Sequence, residues 1–329
     1  MSLPILQIKN LHTHFFMDRG EVPAVDGVDL QVNKGEVLGI VGESGCGKSV
    51  TALSILKLIP QPPGRIVDGS ILFKGQDIVQ MKEREMRRIR GNAISMIFQE
   101  PMTSLNPLFT IGQQITETIR LHRNHSRKEA RLHAIHMLVK VGISRPDAVI
   151  DEYPHQLSGG MRQRVMIAMA IACQPELLIA DEPTTALDVT IQAQILDLLR
   201  GLIEEQGTAV MLITHDLGVV AEMCHRVAVM YAGKVVEEAS VHDIFNNPLH
   251  PYTQGLIQSV PRMNDTRERL YSIPGNVPIL SSHMEGCRFT ARCPYAMAIC
   301  HESLPELVER ESQHHCRCWL YDEPREDVV

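Results

Sequence analysis

The eight residues Gly42-Glu43-Ser44-Gly45-Cys46-Gly47-Lys48-Ser49 constrain this chain more than any other feature. They follow Val37-Leu38-Gly39-Ile40-Val41, a continuous apolar run of the kind that forms a strand buried on both faces. A helix pattern from Lys48 to Leu58 comes next. Three glycines between a strand and a helix let successive backbone N–H groups converge on one point, where the helix N-terminus adds its positive dipole end. Lys48 brings a cation to outer phosphates, and Ser49 a hydroxyl ligand for Mg²⁺. A glycine turn with an incidental lysine is the plain alternative, and the strand before and the helix after argue against it.

The rest of the first 250 residues supplies a frame for such a loop. Leu177-Leu178-Ile179-Ala180-Asp181, Ala209 to Thr214 and Val227 to Tyr231 are further buried-strand runs, and Ile5 to Ile8 and Val28 to Val32 read as shorter strands. A helix pattern fills Thr190 to Glu204. Strands alternating with helices predict an α/β protein with a parallel sheet. Residues 102–172 carry helix-period patterns and no convincing strand, Ser126 to Val141 being the clearest, and predict a helical insertion. Proline then becomes frequent, at Pro248, Pro251, Pro261, Pro274 and Pro278. That places a boundary near 250 and predicts two regions, 1–250 and 251–329, the second small and loop-rich.

Asp181 closes its apolar run and Glu182 follows. A carboxylate at the C-terminal end of a buried strand stands where ligands bind in open α/β sheets. There Asp181 would orient Mg²⁺ through water, and Glu182 would polarise an attacking water. An Asp-Glu pair alone reads as a solvated strand end; beside a phosphate loop it reads as the other half of a triphosphate site.

Composition removes several alternatives. Of 329 residues, 44% are hydrophobic and 22% charged, which suits a folded globular chain and not a disordered one. The formal net charge of −7 and an aromatic content of 4%, with Trp319 the single tryptophan, predict neither a basic nucleic-acid surface nor a stacking platform. The longest apolar run, Val165 to Cys173, is far short of the ~20 residues a spanning helix needs. The opening residues MSLPILQIKN lack the charged-then-apolar order of a secretory signal, so a cytoplasmic chain is expected.

Between the two halves of the triphosphate site stands Leu157-Ser158-Gly159-Gly160-Met161-Arg162-Gln163. With the phosphate loop upstream and LLIADE downstream, the order resembles an ABC-type ATPase cassette over about residues 4–246. LSGG alone would be a helix start capped by serine. The resemblance implies an α/β P-loop NTPase cassette with a helical subdomain and an ATPase activity using ATP and Mg²⁺. It implies roles for Gln99 of IFQE as the Q-loop glutamine, for Ala186-Leu187-Asp188 as the D-loop and for His215 as the switch histidine. Phe15, with Phe16 as its alternative, would stack on adenine, and Val50 would complete the loop's nucleotide contacts. Two cassettes would close head to tail, with Ser158, Gly159, Gly160 and Asp188 of one chain facing the ATP held by the other.

Further runs narrow the resemblance. Phe98 to Pro107 (FQEPMTSLNP), Tyr153 to Gly160 (YPHQLSGG), His250 to Thr253 (HPYT) and Gly286 to Tyr295 (GCRFTARCPY) resemble the ATP-binding subunits of bacterial dipeptide and oligopeptide importers. Nickel-import ATPases are close relatives of that group. The resemblance implies two membrane-spanning permeases, a second ATPase subunit that is a copy or a paralogue, and an extracytoplasmic binding protein that selects cargo. It places the chain peripherally at the cytoplasmic face of the membrane. A soluble ABC ATPase acting on DNA or ribosomes is the alternative of another class. The single cassette, short insertion and negative charge argue against it.

Five of the eight cysteines, Cys287, Cys293, Cys300, Cys316 and Cys318, crowd the last 43 residues. Such a cluster in a cytosolic chain points to a metal rather than to disulfides. Four thiolates suit Zn²⁺ or a [4Fe–4S] cluster. Resemblance to cluster-bearing dipeptide-importer ATPases favours iron–sulfur on Cys287, Cys293, Cys300 and Cys316, with Cys318 able to replace Cys316.

Overall fold

The computed structural model describes residues 3–18, 20–100, 104–184, 188–260, 271–278, 280–281 and 284–322. The chain divides into two compact units. One comprises Met1–Leu6, Gln31–Val37 and Phe73–Ile213, and the other Gln7–Leu30, Leu38–Leu72 and Thr214–Val329.

In the first unit Leu177–Asp181 lies between Ile94–Ile97 and Ala209–Ile213, parallel to both. Each of these strands is buried along its whole length, which is what a continuous apolar run permits and an alternating one would not. The register sets Asp181 against Ile213, so the carboxylate stands at the strand's C-terminal end. Helices Ile111–His122, Arg127–Lys140 and Gly159–Ile171 pack on one another as the expected helical insertion. Its proposed start at 102 lies outside the described residues. Ser126 begins the second of these helices with a reciprocal cap. Its hydroxyl accepts from Glu129 N–H at 3.3 Å, and Glu129 Oε2 accepts from Ser126 N–H at 2.7 Å.

The second unit holds the phosphate loop. Strand Val37–Val41 enters it at Leu38 and runs parallel to Arg226–Tyr231, which pairs antiparallel with Lys234–Ser240. The last of these pairs with His314–Cys316, and that in turn with Val308–Glu311. The C-terminal region lies within this unit and contributes two strands, Val308–Glu311 and His314–Cys316, to a stretch expected to be loop-rich. The physical reason is Glu237. It is wholly buried opposite Cys316, and its carboxylate accepts from the N–H groups of Leu249 and His250 at 2.7 and 2.9 Å and meets His314 Nε2 at 2.7 Å. A buried carboxylate needs such partners, and they come from the C-terminal chain. The first two strands, Leu6–Met17 and Gly20–Val32, are longer than their apolar cores at Ile5 to Ile8 and Val28 to Val32. The helix after the phosphate loop ends at Ile55, three residues before Leu58.

Candidate functional site

The phosphate loop depends on backbone conformations that side chains would block. Gly42 has φ +151° and Gly47 φ +104°; a Cβ on them would come within 2.2 Å of the Met230 carbonyl and 2.4 Å of the Ala24 carbonyl. Gly45, at φ +78°, needs only the conformation, since nothing lies within 4 Å of its Cβ direction. Gly47 opens the helix Lys48–Ile55, so the helix's first N–H groups point at the loop. Lys48 is buried to 7% exposure. Its ammonium donates to the carbonyls of Gly42 at 2.7 Å and Glu43 at 3.0 Å, which sets it at the mouth of the loop. Ser44 is exposed, Ser49 and Val50 are half-buried, and Cys46 is wholly buried with its thiol pushed up by burial.

His215 follows the strand Ala209–Ile213 and is exposed. It lines a cavity of about 310 Å³ together with Val41, Gly42, Glu43 and Asp216, so the expected switch histidine opens onto the same space as the phosphate loop. Phe15 is half-buried beside Gly64, whose Cβ direction comes within 2.8 Å of the ring. Phe16 is exposed, with the Arg65 guanidinium 4.3 Å from its ring centre. One face of Phe16 is therefore already occupied by a cation.

The first unit carries the carboxylates. Asp181 is 4% exposed at its strand end. Glu182 has φ +48°, a conformation that costs a residue of this type on the order of 1 kcal/mol and that the surroundings must hold. They do: Glu182 N–H donates to the Ile213 carbonyl at 2.8 Å, and Gln99 Nε2 donates to Glu182 Oε2 at 3.0 Å. Two residues singled out separately in the sequence thus meet. Gln163, the last residue of the LSGG run, donates to the Pro183 carbonyl at 2.5 Å and ties that helix to the same turn. Ser158 caps the helix Gly159–Ile171 by accepting from Met161 N–H at 3.3 Å, leaving its own hydroxyl proton to donate elsewhere. Gly159 is exposed and Gly160 half-buried. Asp188 caps Val189–Gln206 by accepting from Ile191 N–H at 2.9 Å, while Ala186 and Leu187 of the same run lie outside the described residues.

Among the C-terminal cysteines, Cys287 N–H donates to the Cys300 carbonyl at 2.8 Å, and Thr290 Oγ1 reaches both carbonyls at 2.7 and 3.0 Å. Burial pushes the Cys318 thiol up to about 12, and charge on Cys287, Cys293 and Cys300 pushes it the same way. Cys316 sits in a strand, wholly buried with Leu249 and Cys318 and opposite Glu237. No three of these sulfurs lie within 4.8 Å of one another. Among the described residues the donors that do are His12, His14 and Asp26, which the sequence did not single out. Asp26 already faces Lys234 at 3.2 Å and Arg288, two cations that oppose a metal there.

Sequence reasoning also missed Arg292 and Tyr252. Arg292 pairs with Glu43 of the phosphate loop, and the Tyr252 hydroxyl accepts from Glu43 N–H at 2.8 Å. HPYT gave the one signal for Tyr252, as a run shared with a family but without a role.

Comparison with known proteins places these elements in a family. The profile of the ABC transporter family matches residues 25–185, and that of the oligopeptide/dipeptide transporter C-terminal region matches residues 236–300. The chain is 55% identical over 320 residues to a probable peptide ABC transporter ATP-binding protein of Sinorhizobium fredii, covering 97% of this chain and 96% of the relative. It is 53% identical over 319 residues to the oligopeptide transport ATP-binding protein AppD of Bacillus subtilis, covering 97% of each. Among solved structures it resembles the dimeric cassette MJ0796 in a post-hydrolysis state with ADP and Pi. The TM-score is 0.65 at 30% identity, over 72% of this chain and 98% of that one.

Proposed function

Since the chain belongs to the ATP-binding proteins of peptide ABC transporters and is an ATPase, we propose that it powers the import of di- or oligopeptides by closing and reopening a pair of cassettes on ATP. The observation that carries this reading is the phosphate loop, with its glycines at positive φ and the Lys48 ammonium held at its mouth. Backbone N–H groups of the loop and Lys48 bind the triphosphate. Ser49 and Asp181 hold Mg²⁺, which when bound neutralises phosphate charge. Glu182, kept in place by Gln99, orients the attacking water and accepts its proton, and His215 donates to the outer phosphate. Ser158, Gly159, Gly160 and Asp188 serve the ATP of the partner cassette, which is a second copy or a paralogue. Phe15 stacks on the adenine, with Phe16, one face of which Arg65 covers, as the alternative.

No helix among the described residues is long and apolar enough to cross a membrane, so import needs separate membrane-spanning partners. In this reading they are two permeases, with the chain at their cytoplasmic face and a peptide-binding protein on the far side. Four thiolates in this region would suit a [4Fe–4S] cluster, with Zn²⁺ as the alternative. Cys287, Cys293, Cys300 and Cys316 would hold it, and Cys318, buried beside Cys316, could replace Cys316 as the fourth ligand.

The test is transport. The chain is purified with the membrane subunits it binds and placed in vesicles with the binding protein. We expect peptide uptake that requires Mg-ATP and is lost with Lys48→Ala. Accumulation of nickel ions in place of peptides would overturn the cargo assignment, and uptake surviving Lys48→Ala would overturn the role of this chain.

A further inference from the structure

Glu43 is an acid placed where a polyanion is to bind. It is the second residue of the phosphate loop, and its side chain is 30% exposed. Unopposed, it would repel a triphosphate held by its neighbours. Two residues from distant parts of the chain fix it. The guanidinium of Arg292, a side chain only 4% exposed, grips the carboxylate with both branches, Nη1 to Oε2 at 2.6 Å and Nη2 to Oε1 at 2.9 Å. This is the bidentate geometry that makes an arginine–carboxylate pair strong. The Tyr252 hydroxyl takes the Glu43 N–H at 2.8 Å, so the base of the side chain is pinned as well.

Arg292 does not depend on Glu43 for its own position. Its Nε donates to the Pro274 carbonyl at 2.9 Å, its Nη2 to the Ile273 carbonyl at 3.3 Å and its Nη1 to the Tyr231 hydroxyl at 3.3 Å. The Tyr231 and Phe289 rings lie 5.7 and 5.9 Å from the guanidinium carbon. It is a cation built into the C-terminal region and aimed at the phosphate loop.

We propose that Arg292 is a positioning residue for nucleotide binding. By neutralising and fixing Glu43, it makes the affinity of the phosphate loop a property of the C-terminal region. This rests on the reading of Gly42–Ser49 as the triphosphate site and adds a control element that lies 249 residues away from Glu43 in the sequence.

The test is a charge cycle read as Mg-ATP affinity of the full chain, measured by calorimetry at low and high NaCl. Arg292→Met keeps the aliphatic stem and removes the charge, and should weaken binding about tenfold at low salt. Glu43→Gln leaves the fixed cation beside the loop without its acid, and should tighten binding. The double variant should return to within about threefold of wild type, and salt should shrink every difference. A purely structural clamp gives another pattern: both single variants weaken binding or leave it alone, and the double does not recover. That pattern overturns the proposal, as does an unchanged affinity in folded Arg292→Met. If Arg292→Met does not fold, Glu43→Gln decides by itself, since weakened or unchanged binding contradicts the fixed cation. Failure of the wild-type chain to bind Mg-ATP would bring down the phosphate-site reading and this inference with it. Failure of the charge cycle alone leaves that reading intact.

Discussion

Glu182, the proposed base, has its backbone where a glutamate is least comfortable. The φ of +48° is held by the N–H bond to Ile213, and the carboxylate by Gln99. Strain kept by surrounding contacts is a mark of pre-organisation. Glu182→Gln keeps the size, the turn and a group able to face Gln99, but removes the base. We expect ATP turnover to fall by about a hundredfold or more while Mg-ATP still binds. The trapped nucleotide should hold two chains together, seen as a dimer by size-exclusion chromatography in Mg-ATP. Turnover near that of the wild type would move the base elsewhere. The residue scale is also where the sequence says least: Asp181 and Glu182 could be placed at a strand end from their neighbours, but neither the left-handed turn nor the meeting with Gln99 can be read from a string of letters.

At the scale of elements, legibility follows burial. Val37–Val41, Leu177–Asp181 and Ala209–Ile213 are buried from end to end, so their apolar runs announce them. Lys234–Ser240 does not announce itself, because it carries Lys234, Glu237 and Glu238, and Glu237 is tolerated inside only through His314 and the N–H groups of Leu249 and His250. Cys316 also stands on this network, opposite Glu237 in the strand and buried beside Cys318 and Leu249. Spacing alone could not show that. In anaerobically purified protein we expect iron and sulfide in equal amounts and a brown colour, lost with Cys293→Ser. Colourless protein carrying zinc would contradict the cluster.

On the scale of the whole molecule, the order phosphate loop, LSGG, LLIADE and His215 was enough to foresee a cassette, because each motif is local and their succession is rare. What could not be foreseen is that the C-terminal region shares a compact unit with the phosphate loop and reaches Glu43 through Arg292 and Tyr252. Contacts between residues more than 200 positions apart leave no local pattern. All of it depends on one physical event, the capture of Mg-ATP by Gly42–Ser49. The most direct measurement is a calorimetric titration of the wild-type chain and of Lys48→Ala with Mg-ATP. The wild type should give a saturable one-site heat, and binding should be at least about a hundredfold weaker when the Lys48 ammonium is gone. A wild-type titration with no heat beyond dilution, or a Lys48→Ala curve that overlays it, would rule out capture of the nucleotide by this loop.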